Sequence, residues 1–380
     1  MTFRLSTRPM SVAALAALVV SGTAAGLAVA PVASAAPAPI IIALEAPLTG
    51  SQASNGIDMY RGAKLAVDQI NAKGGVLGRK VKLIKADDQA NPDLALEVAQ
   101  KVKAAGAVAV IGPYNSSVGL VNLPYYLANG VTPVQMTSTD DTTGEGVTVQ
   151  PKNSQISPVE VAYMSQSSGC PKVVMLVDPS AYTQGMANRV GKAMVCGDGV
   201  PVASIPITEG LASYTSQVSQ ALALSPDILY VSTYYPEGSK IATAIAAANT
   251  KASCFMGLAN VDPAFVSAAG IPASQRCVFS GVPEAAQLPD ASSYVKAYRA
   301  KFHAKPGVWG TFTYDSANVL FAAMTKAGTE KSSPVLKALL KTKNFAGQTG
   351  SITIDAKTGN RTKVPVYILK VDKAGTFVIN

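Results

Sequence analysis

The chain has 380 residues, of which 48% are hydrophobic and only 14% are charged. These proportions exclude a mainly disordered chain, and the length allows two domains of ordinary size. The formal net charge is +9 without any basic cluster, which argues against nucleic acid as a partner.

Residues 1–36 have the pattern of a signal peptide. Arg4 and Arg8 form a positive amino-terminal region, an apolar stretch over residues 12–32 follows, and Ala33-Ser34-Ala35 is a small-x-small cleavage site. A membrane anchor is the alternative, but the stretch is mostly alanine with interspersed Ser, Gly and Thr, and a Pro-Ala-Pro run follows it. We therefore expect a protein that is exported, cleaved and soluble in the periplasm or outside the cell. No cysteine near the cleavage site could carry a lipid anchor.

Strands and helices alternate along the mature chain, as apolar runs and apolar residues at helical spacing indicate. The predicted strands are Ile40–Leu44, Val81–Asp88, Ala107–Ile111, Val131–Met136, Val173–Val177, Ile228–Val231, Phe255–Leu258, Val278–Ser280, Ser351–Ile354, Val364–Val371 and Phe377–Ile379. The predicted helices include Gly56–Asn71, one that begins at Asn91-Pro92, one with Met186 and Val190 on its buried face, Ser239–Ala248, Pro263–Ala269, Ala291–Ala304 and Thr313–Ala327. The alternation predicts an α/β fold of two doubly wound parallel sheets, divided near residues 150–160.

The four cysteines are paired by their expected places in the sheet. Cys170 begins one predicted strand and Cys196 ends the helix that follows, so the chain returns to the same edge. Cys254 and Cys277 each begin one of two neighbouring parallel strands. We therefore predict the disulfides Cys170–Cys196 and Cys254–Cys277, each closing a loop of about 25 residues and worth roughly 3 kcal/mol. The chain has no Cys-x-x-Cys pair, which argues against zinc or thioredoxin-type chemistry.

The loops that follow strands are the candidate binding loops, because ligands of open α/β sheets bind beyond the carboxyl ends of strands. Four such loops, two from each half, carry small hydroxyl residues or tyrosines: Gly112-Pro113-Tyr114-Asn115-Ser116-Ser117, Thr137-Ser138-Thr139-Asp140-Asp141, Asp178-Pro179-Ser180-Ala181-Tyr182 and Ser232-Thr233-Tyr234-Tyr235-Pro236-Glu237. Hydroxyls beside free backbone N–H groups suit a carboxylate, and a tyrosine covers a small ligand with an apolar face. Each loop alone is also explained as a helix cap, a polar turn or a surface tyrosine; the four together favour a ligand.

Enzyme signatures are lacking where they would be needed. The loop after the first strand, Glu45–Gly50, is not Gly-x-Gly-x-x-Gly, and Gly74-Gly75 follows a helix instead. The single histidine, His303, lies at the basic end of a predicted helix, where a solvated side chain is a simpler interpretation than a catalytic base. Asp87 and Asp88 point to opposite faces of an extended chain and do not form an acid pair. We therefore expect no enzyme activity, no cofactor and no metal site.

Several motifs together resemble a known family. They are Ala46-Pro47-Leu48-Thr49-Gly50, Arg61-Gly62-Ala63-Lys64-Leu65-Ala66, Ile70-Asn71-Ala72-Lys73-Gly74-Gly75-Val76-Leu77-Gly78, Asp87-Asp88, Val110-Ile111-Gly112-Pro113 and Tyr234-Tyr235-Pro236-Glu237. With them, residues 40–380 resemble type I periplasmic binding proteins of the branched-chain amino-acid (Leu/Ile/Val) group. The resemblance implies two lobes joined by a three-strand hinge, lobe 1 from 38–155 plus 283–343 and lobe 2 from 156–282 plus 344–380. It also implies a monomeric solute-binding protein of an ABC importer, with a membrane permease as its partner.

The resemblance further implies which residues form the site. In that family, hydroxyls of the first lobe hold a carboxylate, tyrosines of the second lobe close over the ligand, and other side chains line the pocket. The corresponding positions in this sequence are Ser116, Thr137, Ser138, Thr139, Tyr182, Tyr234, Tyr114 and Asn55.

One position departs from the family pattern. Where amino-acid-binding members have a glutamate that pairs with the ligand's ammonium, this chain has Ala259. A buried ammonium without a paired carboxylate is strongly destabilised. Either Asp262 or Asp140 takes that role, or the solute is not an α-amino acid. We expect a carboxylate-bearing solute, an amino acid or a related compound; the alternatives are an aromatic acid, a hydroxy acid or an amide, or a sensing receptor, which the lack of an output domain disfavours.

Overall fold

The computed structural model describes residues 37–166, 170–195 and 203–380. The predicted signal peptide, residues 1–36, lies outside the described residues, and so does Cys196. Export with cleavage and the Cys170–Cys196 disulfide therefore stay predictions. Within the described ranges, no helix has the length and apolar character needed to cross a membrane.

The described strands are short, and the central ones are almost wholly buried. They are β1 (Ile40–Ala46), β2 (Val81–Asp87), β3 (Ala109–Ile111), β4 (Thr132–Val134), β5 (Val173–Val177), β6 (Ala203–Pro206), β7 (Ile228–Ser232), β8 (Ser253–Met256), β9 (Cys277–Gly281), β10 (Phe345–Gly347), β11 (Gly350–Ile352), β12 (Tyr367–Val371) and β13 (Phe377–Ile379).

The helices lie between these strands for most of the chain. They are α1 (Ala53–Ala72), α2 (Ala95–Ala104), α3 (Ser116–Ala128), α4 (Asn153–Met164), α5 (Ala181–Ala193), α6 (Thr215–Ala223), α7 (Tyr235–Ala247), α8 (Pro263–Ala269), α9 (Ile271–Ser274), α10 (Ser292–Phe302), α11 (Val308–Ala327) and α12 (Ser332–Leu339). Short 3-10 turns cover Pro92–Leu94, Asp140–Thr142, Leu258–Asn260 and Ala285–Gln287.

The first sheet has the order β2-β1-β3-β4 and is parallel throughout. Strand β1 lies inside the sheet, and its sequence IIIALEA is apolar except for one glutamate, as a strand covered on both faces requires. Helices α1, α2, α3, α10, α11 and α12 pack on this sheet or on each other. We call the sheet with these helices lobe 1.

The second sheet has the order β13-β12-β9-β8-β7-β5-β6, and we call it lobe 2 together with helices α4–α9. The strands from β9 to β6 are parallel, as predicted. The last two strands differ from that prediction, because β12 joins β9 antiparallel and then turns back tightly into β13. The fold is thus α/β with two wound lobes, and only one edge of lobe 2 departs from the parallel pattern.

The predicted Cys254–Cys277 disulfide is confirmed. The two cysteines are directly opposite each other in the parallel pair β8–β9, with Cα atoms 4.5 Å apart. The bond ties the amino-terminal ends of these strands, so it braces lobe 2 at the edge remote from the strand ends that carry the candidate loops.

Three segments of the chain pass between the lobes, as predicted: they follow β4, β9 and β11. The first and third are bonded to each other, through Thr148 N to Gly359 O at 2.9 Å and Arg361 N to Thr148 O at 3.0 Å. The buried Arg361 guanidinium also donates to the carbonyl oxygens of Val149 and Ser351. These two segments are therefore joined by hydrogen bonds into one strip between the lobes.

The hairpin β10–β11 is held by lobe 1, although the sequence assigns residues 344–380 to lobe 2. The Asp315 carboxylate on α11 accepts hydrogen bonds from Gln348 N at 2.8 Å and Thr349 N at 2.9 Å. We propose that the third crossing starts after this hairpin. The other predicted lobe boundaries stay predictions.

Several elements differ from the sequence-based expectation in ways that affect the site. Strand β4 ends at Val134 rather than Met136, so the residues that follow are free to form a loop. Helix α7 begins at Tyr235 rather than Ser239, with proline in its first turn. Helix α11 begins at Val308 rather than Thr313. Helices α4, α6, α9 and α12 and strands β6 and β10 were not predicted.

Candidate functional site

Loops that follow strands of both sheets meet at one small cavity. Its lining residues are Tyr114, Ser116, Met136, Ser138, Gln150, Tyr182, Tyr234, Leu258, Ala259 and Trp309. Its free volume is about 10 Å³, roughly the space of one water molecule. A solute of several non-hydrogen atoms can enter only if the walls separate, which rotation at the hinge would allow.

Larger grooves open on the surface elsewhere. One of about 860 Å³ lies between α4 and α5, and one of about 640 Å³ lies beside Cys254 at the amino-terminal ends of lobe 2 strands. The small cavity is lined by residues that follow strands of both sheets, which is where ligands bind in open α/β folds. We therefore place the candidate site in the small cavity.

A glycine positions the first loop of lobe 1. Gly112 directly follows β3 with φ of +113°, and a side chain there would collide with the backbone oxygen of Glu45. Only glycine meets both conditions without strain. The turn brings Tyr114 and Ser116 to the cavity.

Ser116, the first residue of α3, presents a hydroxyl that can donate to a ligand. Its Oγ accepts hydrogen bonds from Ser138 N at 3.3 Å and Thr139 N at 3.1 Å. These bonds occupy its lone pairs, so the hydroxyl hydrogen remains available for an oxygen in the cavity. Ser116 is 1% exposed and lies at a helix amino terminus, where partial positive charge favours an anion.

The loop after β4 is held from behind by a buried lysine. Lys152 Nζ donates to Gln135 Oε1 and to the Thr139 carbonyl oxygen, at 3.0 Å each, and to Thr142 Oγ1 at 2.7 Å. Burial lowers the pKa of Lys152 to about 7. The partners are all neutral oxygens, so this cation lies under the loop without a directly bonded counter-ion.

The loop turns two of its three predicted hydroxyls away from the cavity. Thr137 Oγ1 donates to Gln135 Oε1 and lies 2.6 Å from Thr142 Oγ1, on the lysine side. Thr139 Oγ1 contacts Asp141 Oδ2 at 3.3 Å and faces the outer groove. Neither threonine is among the residues that line the cavity.

Ser138 lines the cavity, but its hydroxyl is already engaged. It donates to Pro151 O at 2.9 Å and accepts from Gln150 Nε2 at 3.0 Å. Ser138 can therefore accept one further bond but has no hydrogen to donate to a solute.

Aromatic rings from both lobes enclose the cavity. The ring centroids of Tyr182 and Tyr234 in lobe 2 are 5.8 Å apart. The ring centroid of Tyr114 in lobe 1 is 6.0 Å from that of Tyr234 and 5.0 Å from that of Trp309. Asn55, predicted to line the pocket, lies one layer behind and contacts Tyr114 OH at 3.3 Å. The predicted tyrosines are thus brought together in one place.

The two acids predicted as ammonium partners lie outside the cavity lining. Asp262 caps α8 by accepting from Ala264 N at 2.6 Å, and it accepts from Ser54 Oγ of lobe 1 at 3.0 Å. Burial raises the pKa of Asp262 to about 6. Asp140 pairs with Arg189 Nε at 2.6 Å. The described residues that line the cavity include no Asp, Glu, Lys or Arg.

Two other buried carboxyl groups lie behind the tyrosines of lobe 2. Glu160 on α4 accepts from Tyr230 OH at 2.7 Å and Ser280 Oγ at 2.5 Å, and burial raises its pKa to about 7. Asp178, directly after β5, accepts from Tyr234 N at 3.2 Å, and burial raises its pKa as well. These acids support the tyrosine wall rather than line it.

Direct contacts also join the lobes around the cavity. They include Tyr235 OH to Ser51 O at 2.7 Å, Ser54 Oγ to Asp262 Oδ1 at 3.0 Å, Ala181 N to Ser117 Oγ at 3.0 Å, Ser154 Oγ to Asp140 Oδ1 at 2.6 Å and Arg189 Nε to Asp140 Oδ2 at 2.6 Å. They favour the closed arrangement independently of any solute.

Nearly the whole described chain matches one protein family. The model of the periplasmic binding protein family matches residues 39–376. The chain is also 31% identical to the Leu/Ile/Val-binding protein BraC3 of Rhizobium johnstonii, over 91% of this chain and 94% of that protein. This chain belongs to the periplasmic binding protein family. Members of this family bind solutes and are not enzymes, so the expectation of binding without catalysis is confirmed.

Solved structures of similar proteins have the same fold as this periplasmic binding protein. The leucine-binding protein LivK of Thermotoga maritima superimposes with a TM-score of 0.82 at 23% identity, over 90% of this chain and 97% of that one. A solute-binding protein of an ABC transporter from R. palustris, in complex with benzoate, gives a TM-score of 0.79 at 21% identity, over 90% and 95%. These likenesses confirm the predicted α/β fold.

Four lining residues were not predicted as site residues: Met136, Gln150, Leu258 and Trp309. The first and third were expected only as the last residues of strands. Trp309 is the only tryptophan in the chain and stands at the start of an apolar helix, a signal that could have been noticed. Gln150 lies in the first crossing segment, where no periodic pattern marks it.

Proposed function

We propose that this exported binding protein captures a small carboxylate-bearing solute between its lobes and presents it, closed, to the permease of an ABC importer. The observation that carries the proposal is the Ser116 hydroxyl. It lies at a helix amino terminus, lines the cavity and keeps its hydrogen free, as an oxygen anion requires. The buried Lys152 adds positive charge behind the same loop.

Closure would supply both affinity and a signal for the permease. The cavity has almost no free volume, so a solute must enter while the lobes are apart. A solute that binds more tightly to the closed arrangement than to the open one shifts the equilibrium toward closed lobes. Enclosure between aromatic rings removes water and strengthens the hydrogen bonds to the solute.

An α-amino acid is the second candidate. The Leu/Ile/Val-binding relative favours it, and so do Glu160 and Asp178, which place acidic groups behind the lobe 2 tyrosines. Against it, the lining residues include no acid, and Ala259 occupies the position of the family's glutamate. The benzoate-bound neighbour supports a carboxylate without an ammonium.

The test is a solute screen that uses the single tryptophan as its reporter. Because Trp309 lines the cavity, its fluorescence should change when a solute binds. The chain without residues 1–36 is titrated with carboxylic acids, their primary amides and α-amino acids, and thermal unfolding is followed in parallel. We expect acids to bind more tightly than their amides. Tighter binding of the amides, or binding only of solutes without a carboxylate, would contradict the proposal.

A further inference from the structure

Gln150 carries an unsatisfied acceptor in the cavity wall. The side chain is 1% exposed, and its Nε2 donates to the Met136 carbonyl oxygen and to Ser138 Oγ. Both amide hydrogens are therefore used, while Oε1 has no hydrogen-bond partner. Exchanging the two amide atoms would set Oε1 against the Met136 oxygen, acceptor against acceptor, so the orientation is fixed by its neighbours.

Trp309 carries an unsatisfied donor in the same cavity. The residue is 3% exposed, and its indole Nε1–H has no hydrogen-bond partner. The ring packs edge-on against Tyr114 with centroids 5.0 Å apart, and 6.1 Å from Phe312. An indole nitrogen only donates, so its complement must be an oxygen or another acceptor.

The Tyr182 hydroxyl, which can donate or accept, is the third unpartnered group of the lining residues. Buried polar groups in proteins are nearly always paired, so the acceptor of Gln150 and the donor of Trp309, which each have one fixed role, describe the chemistry of what binds there. We propose that the solute carries an uncharged donor, a hydroxyl or an amide N–H, which Gln150 Oε1 accepts, and an oxygen that accepts from Trp309 Nε1. This deepens the proposed function, on which it rests, by naming the class: a hydroxy acid or an amide-bearing acid.

An α-ammonium group fits this wall poorly. It would bring three donors and a full charge to a wall whose acceptors, Gln150 Oε1, Tyr182 OH and Ser138 Oγ, are all neutral, with no carboxylate among the lining residues. A hydroxyl brings one hydrogen and no charge. The acceptor of Gln150 should therefore discriminate between a hydroxy acid and an amino acid that share one carbon skeleton.

The experiment uses matched acids that differ only at the α-carbon. One set is 2-hydroxy-4-methylpentanoate, 4-methylpentanoate and leucine; the other is mandelate, phenylacetate and phenylglycine. Affinities are measured by calorimetry, because the fluorescent residue is itself to be changed. In the set that fits the cavity, we expect the hydroxy acid to bind about tenfold more tightly than the acid without the hydroxyl. The amino acid should bind most weakly.

Two variants assign the effect to the named atoms. In Gln150→Met the ratio between the hydroxy acid and its deoxy counterpart should fall to about one, because the acceptor is gone. General damage to the site would weaken both acids and leave their ratio unchanged. Trp309→Phe keeps an aromatic ring without the N–H and should weaken both acids alike. Gln348→Met is the matched control: it also removes an unpartnered amide oxygen, away from the cavity.

The outcomes separate this inference from the function on which it rests. An unchanged ratio in Gln150→Met, or tighter binding of the amino acid than of its hydroxy counterpart, overturns the inference while capture of a carboxylate stands. Binding of none of the six acids by the unaltered protein overturns both.

Discussion

The two walls of the cavity differ in what they offer a solute and in what supports them. The lobe 1 wall presents hydrogen-bonding groups and is backed by a buried cation, whereas the lobe 2 wall is mainly tyrosine and is backed by buried acids. The residues concerned are Ser116, Ser138 and Gln150 with Lys152 behind them, and Tyr182 and Tyr234 with Glu160 and Asp178 behind them. Charged side chains thus lie one layer behind the cavity, and the described residues that line it are neutral.

The largest effect is expected behind the lobe 2 wall, as a change in stability. Burial raises the pKa of Glu160 to about 7, above its value in an unfolded chain. The stability that this difference provides is fully present below the unfolded pKa and is lost as pH rises through about 7. Near pH 8 the ionised, buried group costs up to about 3 kcal/mol. Glu160→Gln should therefore be more stable than the unaltered protein at pH 8 and similar at pH 5.

Urea unfolding at the two pH values checks this prediction. Tyr230 and Tyr182 face Glu160 and stay neutral in this range, since burial raises both pKa values. Asp178 and Asp262 also have raised pKa values, so only the difference between variant and unaltered protein is informative. The same pH dependence in both proteins would show that Glu160 does not titrate in this range.

In the lobe 1 wall, the sharpest comparison is between two hydroxyls of adjoining loops. Ser116→Ala removes the donor that faces the cavity, and we expect carboxylate affinity to fall more than tenfold, as for a hydrogen bond to a charged group. Thr139→Ala removes a hydroxyl that contacts Asp141, and we expect a change within about twofold. Titration of both variants with the best carboxylate decides the matter. A larger loss in Thr139→Ala would mean that the loop rearranges to bring that hydroxyl inward.

The fold was largely predictable because its signals are local and repeated. Apolar strands such as Val173–Val177 and helices capped by proline, such as Pro263–Ala269, match their predicted bounds. Elements with weak signals were missed. Strand β6 alternates between exposed and half-buried residues at a sheet edge, and α4 carries an internal proline and no clear apolar face.

The site was predictable to the level of loops but not of side-chain direction. The strand-end rule and the resemblance selected the loops that hold Ser116, Ser138 and the tyrosines. They could not show that the Thr137 side chain points away from the cavity, because its hydroxyl contacts the buried Nζ of Lys152, a residue that lies outside the loop. Lys152 itself has no sequence signal: a lysine is ordinarily read as exposed, and only the packing around it reveals the burial.

A smaller effect, the pH dependence of carboxylate affinity, should separate the contribution of the Lys152 charge from that of the hydrogen bonds in the lobe 1 wall. Because burial lowers the pKa of Lys152 to about 7, its charge declines as pH rises from about 6 to 8.5. A bound carboxylate favours the charged form, so carboxylate affinity should fall by roughly threefold to fivefold over that range. Lys152→Met should bind more weakly at pH 6 and lose most of the pH dependence.

The control for this prediction is a neutral solute. The primary amide of the same acid carries no charge, so its affinity should not vary with pH in the unaltered protein. If amide and acid show the same pH profile, the dependence comes from closure of the lobes and not from the lysine charge.

The smallest effect is expected at the rim, where the walls meet in the ion pair between Asp140 and Arg189. Both side chains are partly exposed, at 27% and 43%, so the pair is worth no more than about 1 kcal/mol and is screened by salt. Arg189→Ala should weaken solute binding by about twofold to threefold at low ionic strength and less at high ionic strength, as the closed arrangement loses one contact. The matched control is Arg276→Ala. It also removes an arginine of lobe 2, but one whose guanidinium donates to the Thr250 carbonyl oxygen within the same lobe, so affinity should not change. A loss above tenfold in Arg189→Ala would mean that charge at the rim, and not the neutral walls, sets the balance between open and closed lobes.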